Sequence, residues 1–377
     1  MKVFFYALFF HLTLNVYVFW RGWQTLAPKK ALRAAYASVF MLEFAVYLVG
    51  LLLQRYLPDG AIRIIGFIGT SWMLFLLYMT MLLFAMDFVW WIHKRKPFLF
   101  GYVDKHPKNT RAILFSILSV AVVVVLWLGN VKFHHPSVVH KDIIIEKRAG
   151  AIDSLRIAMI GDTHFGYLIN RPFAKKYVEL IMAQKPDLIL FVGDIIDAEL
   201  NPLVDEGVGE ELRRLHAPLG VYTCTGNHEY RYNAEEKIRW INETGIAVLR
   251  DSAVLIDSAF YIVGREDVTA PFPRKPMPDI LSAQQVDTKK PIIVLNHNPH
   301  FLDEDVRAAA DLALYGHTHR GQFFPGNMVT DLLFKVSHGY KKIGNTHVYV
   351  TSGLGLAGAQ YRIGTQSEIV VLKVRFQ

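Results

Sequence analysis

The chain has 377 residues, room for two domains or for one domain plus a membrane segment. It is 52% hydrophobic with a mean hydropathy of +0.24, and the apolar excess lies before about residue 131, which reads as membrane spans rather than as a large soluble core. The net charge of +8 does not mark a nucleic-acid binder, because many basic residues flank apolar segments and no basic–aromatic strip or nucleic-acid motif is present.

Four apolar segments come first, at about 3–20, 34–53, 64–92 and 113–128. Each is near the roughly 20 residues a helix needs to cross a bilayer. Trp20, Trp23, Trp90, Trp91 and Trp127 sit at their ends, where indole prefers to lie. The first segment is not read as a signal peptide, since no small-x-small cleavage site follows it and three more spans do. Arg21, Lys29, Lys30 and Arg33 fill the first loop. Lys94, Arg95, Lys96, Lys105, Lys108 and Arg111 fill the third, and the second has only Arg55 and Arg63 with Asp59. The positive-inside rule then places loops one and three in the cytoplasm, and both termini outside. Two ionisable residues, His11 and Glu43, fall mid-span and call for partners, most simply each other. Asp87, near the end of the third span, is expected to reach the interface.

Residues 131–150 read as a polar linker whose weakly alternating stretch at 141–146 is a candidate edge strand entering the following domain. His134-His135 lacks a nearby third ligand and reads as a solvated patch. From 151 to 377 strands and helices alternate, βαβαβ first and strand-rich later, with one strand expected over 253–263 and a proline-rich loop over 267–290. Two packed sheets with helices on both outer faces fit this order. The single cysteine, Cys224, permits no intramolecular disulfide and reads as a small buried strand residue.

Five polar clusters end apolar runs: Gly161-Asp162-Thr163-His164, Gly193-Asp194, Gly226-Asn227-His228-Glu229, Asn296-His297-Asn298 and Gly316-His317-Thr318-His319. Asp162 and His164, two apart at a strand end, can face one cation. Asp194 has two oxygens with which to bridge two cations. Asn227 adds an amide oxygen, and His297, His317 and His319 add imidazoles. This mixed nitrogen and oxygen set suits Mn, Fe or Zn, with Mn favoured. Two divalent metal ions so held generate hydroxide at neutral pH and clamp a phosphoryl group. His228 is adjacent to a ligand without having to be one, and is the candidate general acid. Glu229 either orients His228 or caps the following helix.

On these motifs the segment from about Leu155 to Phe376 resembles the calcineurin-like metallophosphoesterases, and the tail Gly316–Gln322, Ser352–Gly355 and Glu368–Val370 resembles their membrane-associated bacterial branch. The resemblance implies a four-layer αββα sandwich with a dinuclear site. It implies one metal on Asp162, His164, Asp194 and His319, and another on Asp194, Asn227, His297 and His317, with His228 protonating the leaving group. Arg320 stands where that branch often has Gly, and with Asn227 is a candidate phosphate contact. Residues 1–130 are not part of the core family.

The expected function is hydrolysis of phosphomonoester, phosphodiester or pyrophosphate bonds at the membrane, with a lipid-linked substrate. Phe323, Phe324, Leu332, Leu333, Phe334, Tyr340, Lys335, Lys341 and Lys342 are candidates for contact with the bilayer. A pyrophosphohydrolase of the UDP-diacylglucosamine type would instead require a cytoplasmic domain. A non-catalytic sensor or transporter module is the other alternative.

Overall fold

The computed structural model describes residues 2–53, 56–96 and 107–377, and the side chains of 2–7, 51 and 107 also lie outside the described set. Arg55 and Lys105, two of the loop charges that set the expected orientation, are therefore outside it. The chain forms two compact units, Met1–Asn130 and Val131–Gln377.

The first unit is helical: α1 (Lys2–Trp23), α2 (Lys30–Leu53), α3 (Asp59–Arg95) and most of α4 (Pro107–Phe133). Among the described residues three helices are long and apolar enough to cross a membrane, at Lys30–Gly50, Asp59–Arg95 and Lys108–Phe133. The sequence pattern predicts four. The first predicted span forms α1, which is not one of the three: its opening side chains are outside the described set, and the remainder carries the polar His11, Thr13 and Asn15. His11 and Glu43 are buried and meet at 3.3 Å. Asn15 Nδ2 donates to the same Glu43 oxygen at 3.2 Å, and Tyr47 stacks on the imidazole. Pairing of this kind offsets the cost of ionisable groups in an apolar bundle. Asp87 binds the guanidinium of Arg21 through both oxygens, so its partner is on α1.

The second unit has twelve strands in two six-stranded sheets. The first sheet runs in the order β1 (Ser137–Ile145), β12 (Glu368–Phe376), β2 (Ser154–Ile160), β3 (Leu188–Phe191), β4 (Val221–Thr223), β5 (Ala247–Val248). The second runs β10 (Gly339–Ile343), β11 (Thr346–Val350), β9 (Leu312–Tyr315), β8 (Ile292–Leu295), β7 (Phe260–Gly264), β6 (Ser252–Ile256). Strands β2 to β5 are mutually parallel, as are β7, β8, β9 and β11.

Period-two alternation of apolar residues builds the layers. Leu155, Ile157 and Met159 of β2 face the inter-sheet core with Ile262, Ile293, Leu295, Leu312 and Leu314. Ala158 and Ile160 of β2 point the other way, against Ala174, Tyr177 and Ile181 of the helix Arg171–Met182. Val263, Val294 and Tyr315 likewise face Met277, Ile280 and Leu302, from the helices Met277–Ala283 and Leu302–Arg307. The result is helix, sheet, sheet, helix.

Three elements differ from the sequence reading. The run 253–263 is a hairpin rather than one strand. Asp257 and Ser258 turn it, with φ of 45° and 55°, the pair of positive values that a tight hairpin needs. The edge strand expected over 141–146 begins earlier, runs over 137–145 and pairs along its length with β12. The proline-rich loop contains the helix Met277–Ala283.

Candidate metal centre

The polar clusters lie just beyond the carboxyl ends of β2, β3, β4, β8 and β9, parallel within each sheet. Such strands deliver their following loops to one edge, where ligands collect. The loops turn sharply. Asp162, His164, Asp194, His317 and His319 all adopt left-handed backbone, with φ from 47° to 69°. Non-glycine residues accept this at a cost of about 1–3 kcal/mol each, and such residues concentrate at functional sites.

Two groups of side chains converge. His164 Nε2 and His319 Nε2 face each other at 3.0 Å, with Asp162 Oδ1 3.6 Å from the latter. On the other side, Asn227 Oδ1 is 2.9 Å from His317 Nδ1 and 3.1 Å from His297 Nε2. Asp194 stands between them: its Oδ2 is 3.2 Å from His297 Nε2 and 3.7 Å from His164 Nε2. The donor atoms of Asp162, His164 and His319 lie within 4.8 Å of one another, as do those of Asp162, Asp194 and His297.

These residues fit divalent cations. Asp162 Oδ2 is fully buried and has no hydrogen-bond partner, an orphaned acceptor that a cation would satisfy. The Nε2 atoms of His164 and His319, opposed at 3.0 Å, are placed to share a cation in their neutral form. His297 Nδ1 donates to the Val192 carbonyl at 2.8 Å, which leaves Nε2 as the ring nitrogen that faces the site.

Charge is tightly balanced. Burial works against a protonated His297, yet the adjacent Asp194 carboxylate, with Asp162 and Asp267, pushes its imidazole up to about 10. Burial pushes His317 down to about 4, with His297 adding to the effect. Burial raises the Asp162 carboxyl. Asp194 lies well below the usual carboxylate range, because His297, His164 and His228 together outweigh its burial.

Asp197 is a site residue the sequence reading missed. Its Oδ1 lies 2.9 Å from His228 Nδ1 and 3.4 Å from His164 Nδ1, and its backbone carbonyl accepts from His228 Nδ1 at 2.8 Å. His164 and His228 hold its carboxyl low against burial. The only signal was a second carboxylate three residues after Asp194. Glu229 does neither thing expected of it. Its carboxylate accepts the backbone N–H groups of Asp194, Ile195, Ile196 and Gly226, at 2.7 to 3.1 Å. Gly226 is required here, since a Cβ on it would lie 2.2 Å from Asp194 Oδ1.

The remaining candidates sit apart from this cluster. Arg320 occupies the turn after His319, where its backbone N–H donates to Thr318 Oγ1. Asn296 binds Asp305, and Asn298 caps the next turn. Cys224 is buried in the inter-sheet core. His135 Nδ1 meets the Val131 carbonyl, and the His134 ring packs on Phe173, so this pair does not join the cluster.

Residues 155–321 match the family model of the calcineurin-like phosphoesterases. That segment is a calcineurin-like phosphoesterase domain. A zebrafish (Danio rerio) transmembrane protein with a metallophosphoesterase domain is 30% identical over 279 residues, 70% of this chain and 63% of its own length, so this chain spans less than two thirds of it. An uncharacterized metallophosphoesterase of Campylobacter jejuni is 28% identical over 370 residues, 96% of this chain and 95% of its own. The likeness to that protein therefore includes the N-terminal helices. A 5'-nucleotidase precursor from Thermus thermophilus superposes with a TM-score of 0.36 at 15% identity, over 58% of this chain and 55% of its own; likeness at that level is weak.

The charge balance of the metallophosphoesterase domain has a measurable outcome. Without metal, His297 carries a proton at neutral pH, and cation uptake must displace it. The affinity of the full chain for Mn²⁺ should rise about tenfold per pH unit for each proton displaced, measured by titration between pH 6 and 8; a flat profile would contradict this coupling. Glu229→Ala leaves four N–H groups without their acceptor, at about 1–3 kcal/mol for each that stays buried and unpaired. The purified variant should hold much less metal than the native chain when assayed by elemental analysis.

Proposed function

We propose that this chain is a membrane-bound phosphoester hydrolase that uses two divalent metal ions, Mn favoured over Fe or Zn, and acts on a phosphate linked to a lipid. The observation that carries the reading is the position of Asp194, whose single carboxylate lies between the Asp162–His164–His319 group and the Asn227–His297–His317 group. The first group with Asp194 would hold one cation, and Asp194 with the second group would hold the other. Cations bound there would supply an attacking hydroxide at neutral pH and would offset the charge that builds on the phosphoryl oxygens.

The chain's own residues supply the rest. His228 Nδ1 is engaged by Asp197, so a proton taken up by the ring resides on Nε2, which lies 4.0 Å from Asp194 Oδ2. Asp197 fixes the orientation of that ring. As the phosphorus–oxygen bond breaks, Nε2–H donates to the leaving oxygen. Asn227 and Arg320 are in loops at this edge and are candidates to contact the phosphoryl oxygens.

A lipid-linked substrate is supported by helices of membrane length in the same chain. The loop charges support an extracytoplasmic domain, with both termini outside. There the candidates are polyprenyl pyrophosphates, phospholipids and their head-group diesters. A cytoplasmic domain would favour a nucleotide-sugar lipid pyrophosphohydrolase instead.

His228→Ala should slow hydrolysis of an alkyl phosphoester by about 10²–10⁴-fold, but affect a p-nitrophenyl ester far less, because that leaving group departs without a proton. Asp194→Ala should abolish Mn²⁺-dependent turnover of both. Native protein inactive on every phosphoester tested would favour the sensor reading. For topology, alkaline phosphatase fused at the C-terminus should be active and green fluorescent protein dark; the opposite pattern would reverse the placement.

A further inference from the structure

The metallophosphoesterase unit exposes an apolar stripe that its own packing leaves uncovered. The helix Gly326–Leu333 buries none of its residues. Leu332 is 87% exposed, Leu333 62%, Met328 56% and Val329 51%, and Phe324, just before the helix, is 41% exposed. Positions 328, 329, 332 and 333 share one side of a helix, since residues four apart are neighbours. A contiguous apolar surface of this kind on a folded domain marks a place where something else binds.

The helix is nevertheless held firmly. Gly326 packs so closely on the turn bearing His319 that a Cβ on it would lie 2.3 Å from the Gly321 carbonyl oxygen. At the other end Asp331 accepts from Ser337 Oγ, and Lys335 pairs with Asp303 at 2.6 Å. Phe334 follows, its ring 4.3 Å from that of His300 and 6.3 Å from that of His317. Phe334 therefore belongs to the rim of the metal centre. Tyr340, also expected at a membrane surface, forms a hydrogen bond with His347.

The same chain indicates what covers the stripe. Its last helix of membrane length ends at Phe133, and three residues separate it from the start of β1 at Ser137. Three residues reach about 10 Å, so the unit is confined near a bilayer surface, where even a weak apolar contact is made at high effective concentration. Lys335, two residues beyond the helix, is exposed, as are Lys341 and Lys342 in β10, and exposed lysines together with an apolar face suit an anionic lipid interface.

We propose that the helix Gly326–Leu333 seats the metallophosphoesterase unit on the bilayer, apolar side inward, and presents membrane-embedded phosphoesters to the rim formed by His317, His319 and Phe334. This rests on the lipid-linked reading above for the substrate but not for the docking. The occupant is the lipid surface, and a second copy of the chain is the competing outcome.

The test uses the full chain reconstituted in vesicles of phosphatidylcholine with phosphatidylglycerol. Cys224 is buried, so a polarity-sensitive dye will report on an added thiol. The dye at Leu332→Cys should shift to the blue and be quenched by nitroxide-bearing lipids several-fold more than the dye at Tyr232→Cys, another strongly exposed position. Equal quenching at both would overturn the proposal. So would shielding in detergent that disappears on dilution, which would identify a second copy. The double variant Leu332→Asp, Leu333→Asp should lose about tenfold or more of its activity on phospholipid diesters in vesicles, and keep its activity on bis-p-nitrophenyl phosphate within about twofold. A blue-shifted, lipid-quenched dye on a protein that hydrolyses no lipid would uphold docking and sink the lipid-substrate reading. An unshielded dye with lipid hydrolysis intact would do the reverse.

Discussion

The arrangement around Asp194 depends on one buried carboxylate that acts through backbone N–H groups. Glu229 gathers four backbone N–H groups, three from the turn after β3 and one from the turn after β4. Burial raises its carboxyl and so does nearby Asp194, while the N–H donors pull the other way. The bonds join two adjacent strand ends of the first sheet into one rigid piece. Within that piece Asp194 holds its left-handed backbone and its Oδ1 accepts the N–H of His228 at 2.8 Å. Oδ2 is then directed at the imidazoles. Asp197, three residues on, reaches His164 and His228 from the same turn.

The two sheets contribute unequally. Asp162, Asp194, Asp197 and Asn227 follow strands of the first sheet, whereas His297, His317 and His319 follow strands of the second. Carboxylates from one sheet thus meet imidazoles largely supplied by the other. The inter-sheet core of Leu, Ile and Val side chains consequently sets the distance between the two ligand sets, and a packed apolar interior resists small displacements. Strained turns at the edge are supported by the same core. The hydrophobic sandwich and the polar edge are one construction: one supplies the rigidity, the other takes up the strain.

Much of this was legible in the sequence because the signals are local. A buried parallel strand is a short apolar run, and a Gly-Asp or Gly-His that ends such a run leaves its polar side chain at the sheet edge. The five clusters are visible in that way, and the layers follow from the order of strands and helices. What escaped depends on direction rather than composition. Asp197 is one carboxylate among many until the turn aims it at two imidazoles. Glu229 looked like a partner of its neighbour His228 because sequence proximity does not show that its carboxylate points back along the chain. The hairpin at Asp257-Ser258 was hidden because neither turn residue is glycine and the flanking apolar pattern continues across it. Leu332 and Leu333 were legible as candidates for the bilayer, but that Met328 and Val329 are exposed beside them was not, since residue type alone does not report burial.

Arg362 shows how the imidazole side of the edge is held in place. It is fully buried, and its guanidinium binds Ser367 Oγ and the carbonyls of His319, Ser352, Gly353 and Gly355. Burial lowers it to about 10, and Glu368 and Asp162 oppose the shift. It therefore remains a cation at neutral pH, bonded to neutral carbonyl dipoles and a hydroxyl rather than to a carboxylate. A lysine could not replace it, because the bonds diverge in the planar fork that only a guanidinium provides. The consequence is both mechanical and electrostatic. The segment 352–355 is tied to the turn that carries His319, while a fixed positive charge behind that imidazole lowers its affinity for a proton, with burial and His164 the larger causes. An imidazole that does not hold a proton keeps its lone pair available. At this position the protein thus prepares a neutral nitrogen ligand, whereas at the Asp194–His297 pair a cation has to displace the proton on His297.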